Sequence, residues 1–297
     1  GLPTLKSILT KFDIRVEHHP KAYRNICKNL SINKIRRIFE FIFETYIEKE
    51  LGNLCQKDSS AWSRELVTVV LDDSVFKQWI QHVEAEFASC YQRFFSGQYH
   101  SAVSGFKVLT LGVSIDGVFY PLYMEFIKKD ETGKSEKCPK VAVKLLERWA
   151  NFRDRFRKKG LVLPPLHLSC DNGYSDVALS EKADCVNLIY ISVPKKSHCF
   201  ELNGEKIKLS KAIERFFLPA ETLHHEQQAD LPMEKRKNFV LRIKANYCCQ
   251  KNRAVVLLLF RLNGSKKVTA IYCSNNVNIF AKTLRRHWFQ RTYIEQF

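Results

Sequence analysis

The stretch HLSCDNGYSD, residues 167–176, decides how the rest of the chain is read. Apolar and small residues run like a strand into a core. The run then stops on an acid, Asp171, followed by the turn residues Asn172, Gly173 and Tyr174. Such an ending has two readings. Asp171 starts a turn or caps the next helix, as short polar side chains do. Alternatively, the strand delivers it to the rim of a sheet, where metals and substrates meet protein.

Working outward, the next elements are a short helix near 175–184 and an apolar strand, NLIYISV, over 187–193. Upstream, PKVAVKLLERWANFRDRFRKKG predicts an amphipathic helix, with Pro139 near its start and Gly160 after its end. Before it, FKVLTLGVSI and VFYPLYMEFI flank Asp116-Gly117. An Asp-Gly between two apolar strands is a strong hairpin signal, because both residues tolerate positive φ. Earlier still, ELVTVVLDDS is a β-branched run that predicts a fully buried strand over 66–71, ending on Asp72 and Asp73. Residues 1 to about 60 read as helical, with Ile35, Ile38, Phe39, Ile42 and Phe43 near one helical face. From 194 to 276 the texture turns to β structure, with Asn-Gly turns at 203–204 and 263–264. A last helical run, NIFAKTLRRHWFQRTYIEQF, ends the sequence.

The 297 residues are enough to bury a sizeable core. Forty-eight Lys and Arg against 31 Asp and Glu leave a net charge of +17, which draws polyanions, nucleic acid above all. Residues 194–276 hold 16 Lys and Arg against 7 Asp and Glu, a net +9, so over half the excess lies in that stretch. No apolar run reaches the length of a membrane span, and the N-terminus lacks the apolar core of a secretory signal. The ten cysteines are scattered with no C-x-x-C, which reads as reduced, mostly buried thiols. His224, His225 and Glu226 have no second ligand group at zinc-like spacing.

The order β, β-hairpin, α, β, α, β is that of an RNase H-like fold, a mixed sheet flanked by helices. In it the first and fourth strands lie side by side, so Asp72 and Asp171 become neighbours across 99 residues. Two close carboxylates repel unless a cation lies between them, and magnesium suits such oxygen ligands. A third acid comes from the last helix, where Trp288, Arg291 and Glu295 fall at i, i+3 and i+7 on one face. Asp73 should point to the opposite side of the strand, so Asp72 is the favoured first acid. Asp116 and Asp176 are explained by a hairpin turn and a solvated helix start.

With these residues in place, the sequence resembles the DDE transposases of cut-and-paste bacterial insertion sequences, in the branch with a β-rich insertion before the last acid. VVLDDS matches the first-acid strand, LSCDNGY the second-acid motif, and WFQRTYIEQF the aromatic-Arg-Glu signature, with Trp288 where Tyr is usual. The resemblance covers roughly residues 66–297. The family's Lys seven residues past the Glu would fall beyond Phe297, so the resemblance implies a chain cut short. It also implies a core of 61–193 and 277–297 and a basic β-rich insertion at 194–276, while residues 1–60 form a helical region that is a candidate for DNA binding without a clear helix-turn-helix signature.

What the resemblance implies further is metal-dependent cleavage of double-stranded DNA at transposon ends, followed by strand transfer to a target. Asp72, Asp171 and Glu295 would hold two Mg2+ ions, for which Mn2+ could substitute. Arg291 would contact a phosphate with Trp288 stacking or packing above it, and Tyr174 would pack or touch DNA. Lys195, Lys196, Arg285 and Arg286 would line the DNA path. Phe200, Phe216 and Tyr247 are candidates to hold a flipped base. A homodimer on DNA and a cytoplasmic, nucleoid-associated location would follow. Two other readings stand beside this one: a catalytically inactive transposase-derived DNA-binding protein, and an RNase H-like nuclease or junction resolvase.

Overall fold

The computed structural model describes residues 32–56, 66–77, 88–96, 100–217, 239–247, 253–261, 268 and 270–296. The cluster at 224–226, the Asn-Gly pair at 263–264 and the side chain of Phe216 lie outside them. Among the described residues, no helix is long and apolar enough to cross a membrane.

A mixed α/β architecture results, built on one sheet of eleven strands. In chain order the elements are α1 (Ile32–Gln56), β1 (Val67–Lys77), β2 (Tyr91–Ser96), β3 (Ser101–Ile115), β4 (Val118–Phe126) and α2 (Cys138–Lys158). They continue with β5 (Leu166–Cys170), α3 (Val177–Cys185), β6 (Leu188–Ser192), β7 (Cys199–Leu202) and β8 (Glu205–Lys208). The last are α4 (Leu209–Ala212), β9 (Phe239–Tyr247), β10 (Ala254–Arg261), β11 (Ala270–Ser274) and α5 (Ala281–Phe289), followed by a 3-10 segment, Gln290–Gln296.

The strand order is β2-β3-β1-β5-β6-β11-β10-β9-β7-β8, with β4 also pairing β3. The run β4-β3-β1-β5-β6 has the layout expected of an RNase H-like sheet. The β3–β4 hairpin is antiparallel and β5 joins β1 in parallel. Its turn is the expected one, with φ 47° at Asp116 and 86° at Gly117. Asp116 also ties the turn to the start of β1, since its carboxylate accepts the Leu66 amide at 2.8 Å.

Two features differ from the sequence reading. β1 does not end at its acids but runs on to Lys77, because β3 keeps pairing with it as far as Gly105. Only the parallel partner stops, at the pair Leu71 and Cys170. In addition, β2 is a strand that the apolar pattern did not reveal.

Side-chain alternation sends Val67, Val69 and Leu71 into the main core with Leu109, Leu111, Val113, Leu166, Leu168 and Cys170. That side is covered by α1 through Ile47, Leu51 and Leu54, by α2 through Leu145, Trp149 and Phe152, and by α3 through Leu179 and Ala183. Phe39, expected on the buried face of α1, is 45% exposed and stacks on Phe43 instead. Strands β7 to β10 enclose a second cluster of Phe200, Leu202, Tyr247, Val255 and Leu257. They are nevertheless continuous with the first sheet, because β11 pairs with β6 at Cys273–Ser192 and Ser274–Ile191. Among the described residues Cys55, Cys90, Cys138, Cys170, Cys185, Cys199 and Cys273 are free thiols, and three of them are fully buried.

Candidate active site

The parallel register places the two strand acids. Leu71 pairs with Cys170, so Asp72 and Asp171, each one residue further on, leave adjacent strands side by side. Parallel neighbours lie about 4.8 Å apart. Asp72 is buried, 8% exposed, on the side of the sheet opposite the main core. Its carboxylate accepts a bond from the Arg291 guanidinium at 2.5 Å and one from the Asp73 amide at 2.9 Å. Burial pushes its pKa up to about 6, against the opposing pull of Arg291 and the Asp73 amide. A buried carboxylate whose charged form burial opposes is held charged only by a cation beside it, and here Arg291 is that cation.

Asp171 makes no side-chain cap bond; only its carbonyl is used, by the Tyr174 amide at 3.0 Å. The helix α3 is capped by Asp176, which accepts the Ala178 and Leu179 amides at 2.9 and 3.3 Å. The capping job that would explain Asp171 as a structural residue thus belongs to its neighbour. Asp73 points to the other side of the sheet, as expected, where it pairs with Lys107 at 2.8 Å and accepts the Tyr174 hydroxyl.

That bond corrects the expectation for Tyr174. The side chain is 1% exposed, wedged between Asp73 and the core, and its carbonyl accepts the Tyr190 hydroxyl at 2.5 Å. It packs, and it has no face open to DNA. Phe200 and Tyr247 are likewise unfit to hold a base, since both are buried and lie against each other at 5.0 Å. Lys195 and Lys196 are exposed in the loop after β6, as their proposed role requires. Arg286 is exposed, whereas Arg285 is half-buried over the rings of Phe260 and Phe289 at 5.3 and 5.5 Å.

The signature helix departs from expectation. Trp288 lies in α5, but the α-helix ends at Phe289, and Arg291 and Glu295 belong to the 3-10 segment. Residues at i and i+3 eclipse in a 3-10 helix, so the i, i+3, i+7 stripe of an α-helix does not extend through it. Trp288 packs against Tyr272 at 5.1 Å, and the Arg291 guanidinium sits over its ring, also at 5.1 Å. The site therefore brings together Asp72, Asp171 and Arg291. The Glu295 side chain lies outside the described residues; two residues before it, Tyr293 packs on Gly117 at the β3–β4 turn.

One group was missed entirely. The ring of His287 stacks on that of His167, centroids 3.7 Å apart and planes within 19°. Its Nδ1 shares a 2.7 Å hydrogen bond with the Thr68 hydroxyl. Beside it, Ser169 donates to the Trp288 carbonyl at 3.3 Å and Ser114 donates to Gln290 at 2.8 Å. Polar residues at alternate positions of β1 and β5 were the only sequence signal.

Among the described residues, no group of three or more His, Cys, Asp or Glu is placed to hold a metal. Asp72 and Asp171 supply only oxygen donors, the chemistry that suits a hard divalent ion such as Mg2+.

The chain matches no protein-family model. It matches no curated protein either. Among solved structures it is similar to a piggyBac transposase synaptic complex with hairpin DNA, at 10% identity and a TM-score of 0.42. That alignment covers 94% of this chain and 47% of the other, so the chain spans about half the length of that transposase. It is also similar to Ciona intestinalis endonuclease V in complex with an inosine-containing DNA, at 14% identity and a TM-score of 0.33, over 86% and 88% of the two chains. These scores are low, and the functional reading is carried by the site itself.

Proposed function

We propose that the chain is a DDE-type transposase that cleaves DNA at the ends of a mobile element and transfers the cut strand. The observation that carries this reading is the adjacency of Asp72 and Asp171 where the parallel pairing of β1 and β5 stops. Asp72 and Asp171, with Glu295 as third carboxylate, would hold Mg2+. Bound there, the metal would activate the attacking oxygen and stabilise the leaving oxygen of a phosphodiester. Arg291, held at Asp72, is within reach of the same position and would pass to a phosphate oxygen of the substrate. Trp288 would keep that guanidinium in place from below. Lys195, Lys196 and Arg286 are exposed cations that would follow the DNA backbone, and each phosphate they neutralise would steepen the salt dependence. A DNA-bound homodimer belongs to the same proposal.

The test is nicking of supercoiled plasmid with and without Mg2+, alongside a gel-shift measurement of DNA binding. Metal-dependent nicking that falls by at least about 100-fold in Asp171→Asn, with binding retained, is the expected result. The Asp72–Arg291 ion pair favours a second reading, a DNA-binding protein whose first acid is permanently neutralised. Binding without nicking in the unaltered chain would establish that reading and overturn the first.

A further inference from the structure

From His287 onward the C-terminal segment crosses the sheet over β5 and β1 toward the β3–β4 turn, on the side away from the main core. Four of its residues, all within 287–291, bond to the sheet. His287 bonds to Thr68 of β1, the Trp288 carbonyl to Ser169 of β5, Gln290 to Ser114 of β3, and Arg291 to Asp72 of β1. Apolar contacts hold the start of the segment, where Leu284 and Trp288 join Ile191, Leu258, Tyr272 and Ile279, and Tyr293 packs on Gly117 near its end. Between these contacts its bonds to the sheet are polar, and the His287–His167 stack lies at their beginning.

We infer that His287, His167 and Thr68 are positioning residues: their stack and hydrogen bond fix where Arg291 stands relative to Asp72 and Asp171. The inference rests on the function proposed above for the acids, but its geometry does not depend on it. His287 anchors the segment four residues before Arg291, about one helical turn, and Thr68 anchors it on β1 four residues before Asp72. One connection therefore runs from β1 through His287, whose ring is backed by His167 of β5, along the segment to the guanidinium and back to β1. The stack needs both rings uncharged. The charges acting on His287 are those of His167 and Arg286, which together with burial disfavour its protonation, and burial alone acts on His167. The group bonded to the pair, Thr68 of β1, is neutral, as is Ser169 of β5, which bonds the carbonyl of the next residue, Trp288. The uncharged, stacked form of the pair is therefore the one that burial favours near neutral pH.

The experiment compares the full chain with His287→Ala, His287→Phe and Thr68→Val. Amide hydrogen exchange is followed over 281–296 and over 67–72, and nicking is measured over a range of plasmid concentrations. His287→Ala is expected to speed exchange over 281–296 by at least about tenfold while leaving 67–72 unchanged. It should also lower kcat by about tenfold or more, with KM within twofold, because a displacement of about 1 Å at the reacting centre is enough for that. His287→Phe, which keeps a ring on His167, should recover most of the protection. Unchanged exchange over 281–296 in His287→Ala overturns the inference, as does equal acceleration in both regions, which would make the stack a general stability element. If His287→Ala does not fold, Thr68→Val gives the same comparison with one hydroxyl removed. A wild-type chain that does not nick sinks the functional reading, and exchange alone then decides the positioning role.

Discussion

Along β1, Val67, Val69 and Leu71 point to one side of the sheet and Thr68, Val70 and Asp72 to the other, and the elements covering the two sides bring opposite chemistry. Under α1, α2 and α3 the cover is oil: Leu51, Leu145, Trp149, Phe152 and Leu179 interlock with the strand residues. Under the C-terminal segment the cover is a row of single hydrogen bonds and one ion pair. Burial of apolar area stabilises by roughly 25 cal/mol per Å2, whereas a net hydrogen bond contributes about 1 kcal/mol. The first side thus holds the sheet together far more strongly than the second.

The comparison can be broken most severely at Trp149, which is fully buried. Trp149→Ala should cost about 3–5 kcal/mol in urea unfolding. A loss below about 1 kcal/mol would mean that the apolar side is not the anchor. Tyr174→Phe removes one bond to the Asp73 carboxylate and leaves the ring, so a loss of about 1.5–3 kcal/mol is expected, with nicking retained. On the polar side, Ser114→Ala should cost only about 1 kcal/mol.

The smallest change in stability is expected at Asp72, where pH gives the sign. Its folded pKa, about 6, lies above the ordinary 3.8. Between these values the folded chain holds more protons than the unfolded one, so this group makes stability fall as pH rises from about 4 to about 6. Asp72→Asn should abolish that slope and melt no lower than wild type at pH 7, while nicking is lost. The histidines act in the opposite direction. Their folded pKa values, about 4 for His167 and about 3 for His287, lie below 6.5. The unfolded chain therefore binds the extra protons, and stability contributed by the pair is lost as pH falls from about 6.5 toward 3. The double variant His167→Phe, His287→Phe should flatten that acid limb.

The oily side was legible in the sequence. β-branched runs, the Asp116-Gly117 turn and the amphipathic spacing of α2 each have a local cause, and each is found where those causes put it. The neighbouring acids were legible too, because the order strand, hairpin, helix, strand sets the first and fourth strands side by side, and each carries an Asp where their parallel pairing stops. The polar side was not. Thr68, Ser114, His167 and Ser169 are isolated interruptions of apolar runs, and only the register of three strands brings them under one segment. The end of α5 escaped for a different reason: period-3.6 reasoning continues a helix past Phe289, while bonding to the sheet draws Gln290 and Arg291 into a tighter turn. β2 escaped because YQRFFS is short and half polar.

The bond between Asp72 and Arg291 spans 219 positions of the chain. A ribosome adds about 5–20 residues per second, so on the order of 10–45 s separate the synthesis of the two partners. Once β5 has been made, β1 and β5 can pair and bring Asp72 beside Asp171, while the guanidinium that bonds the first acid is still to come. Until Arg291 is made, Asp72 stands without its cationic partner, on the face of the sheet that the segment will cover. Assembly of this site is therefore timed by translation, and the C-terminal segment is its final part to arrive.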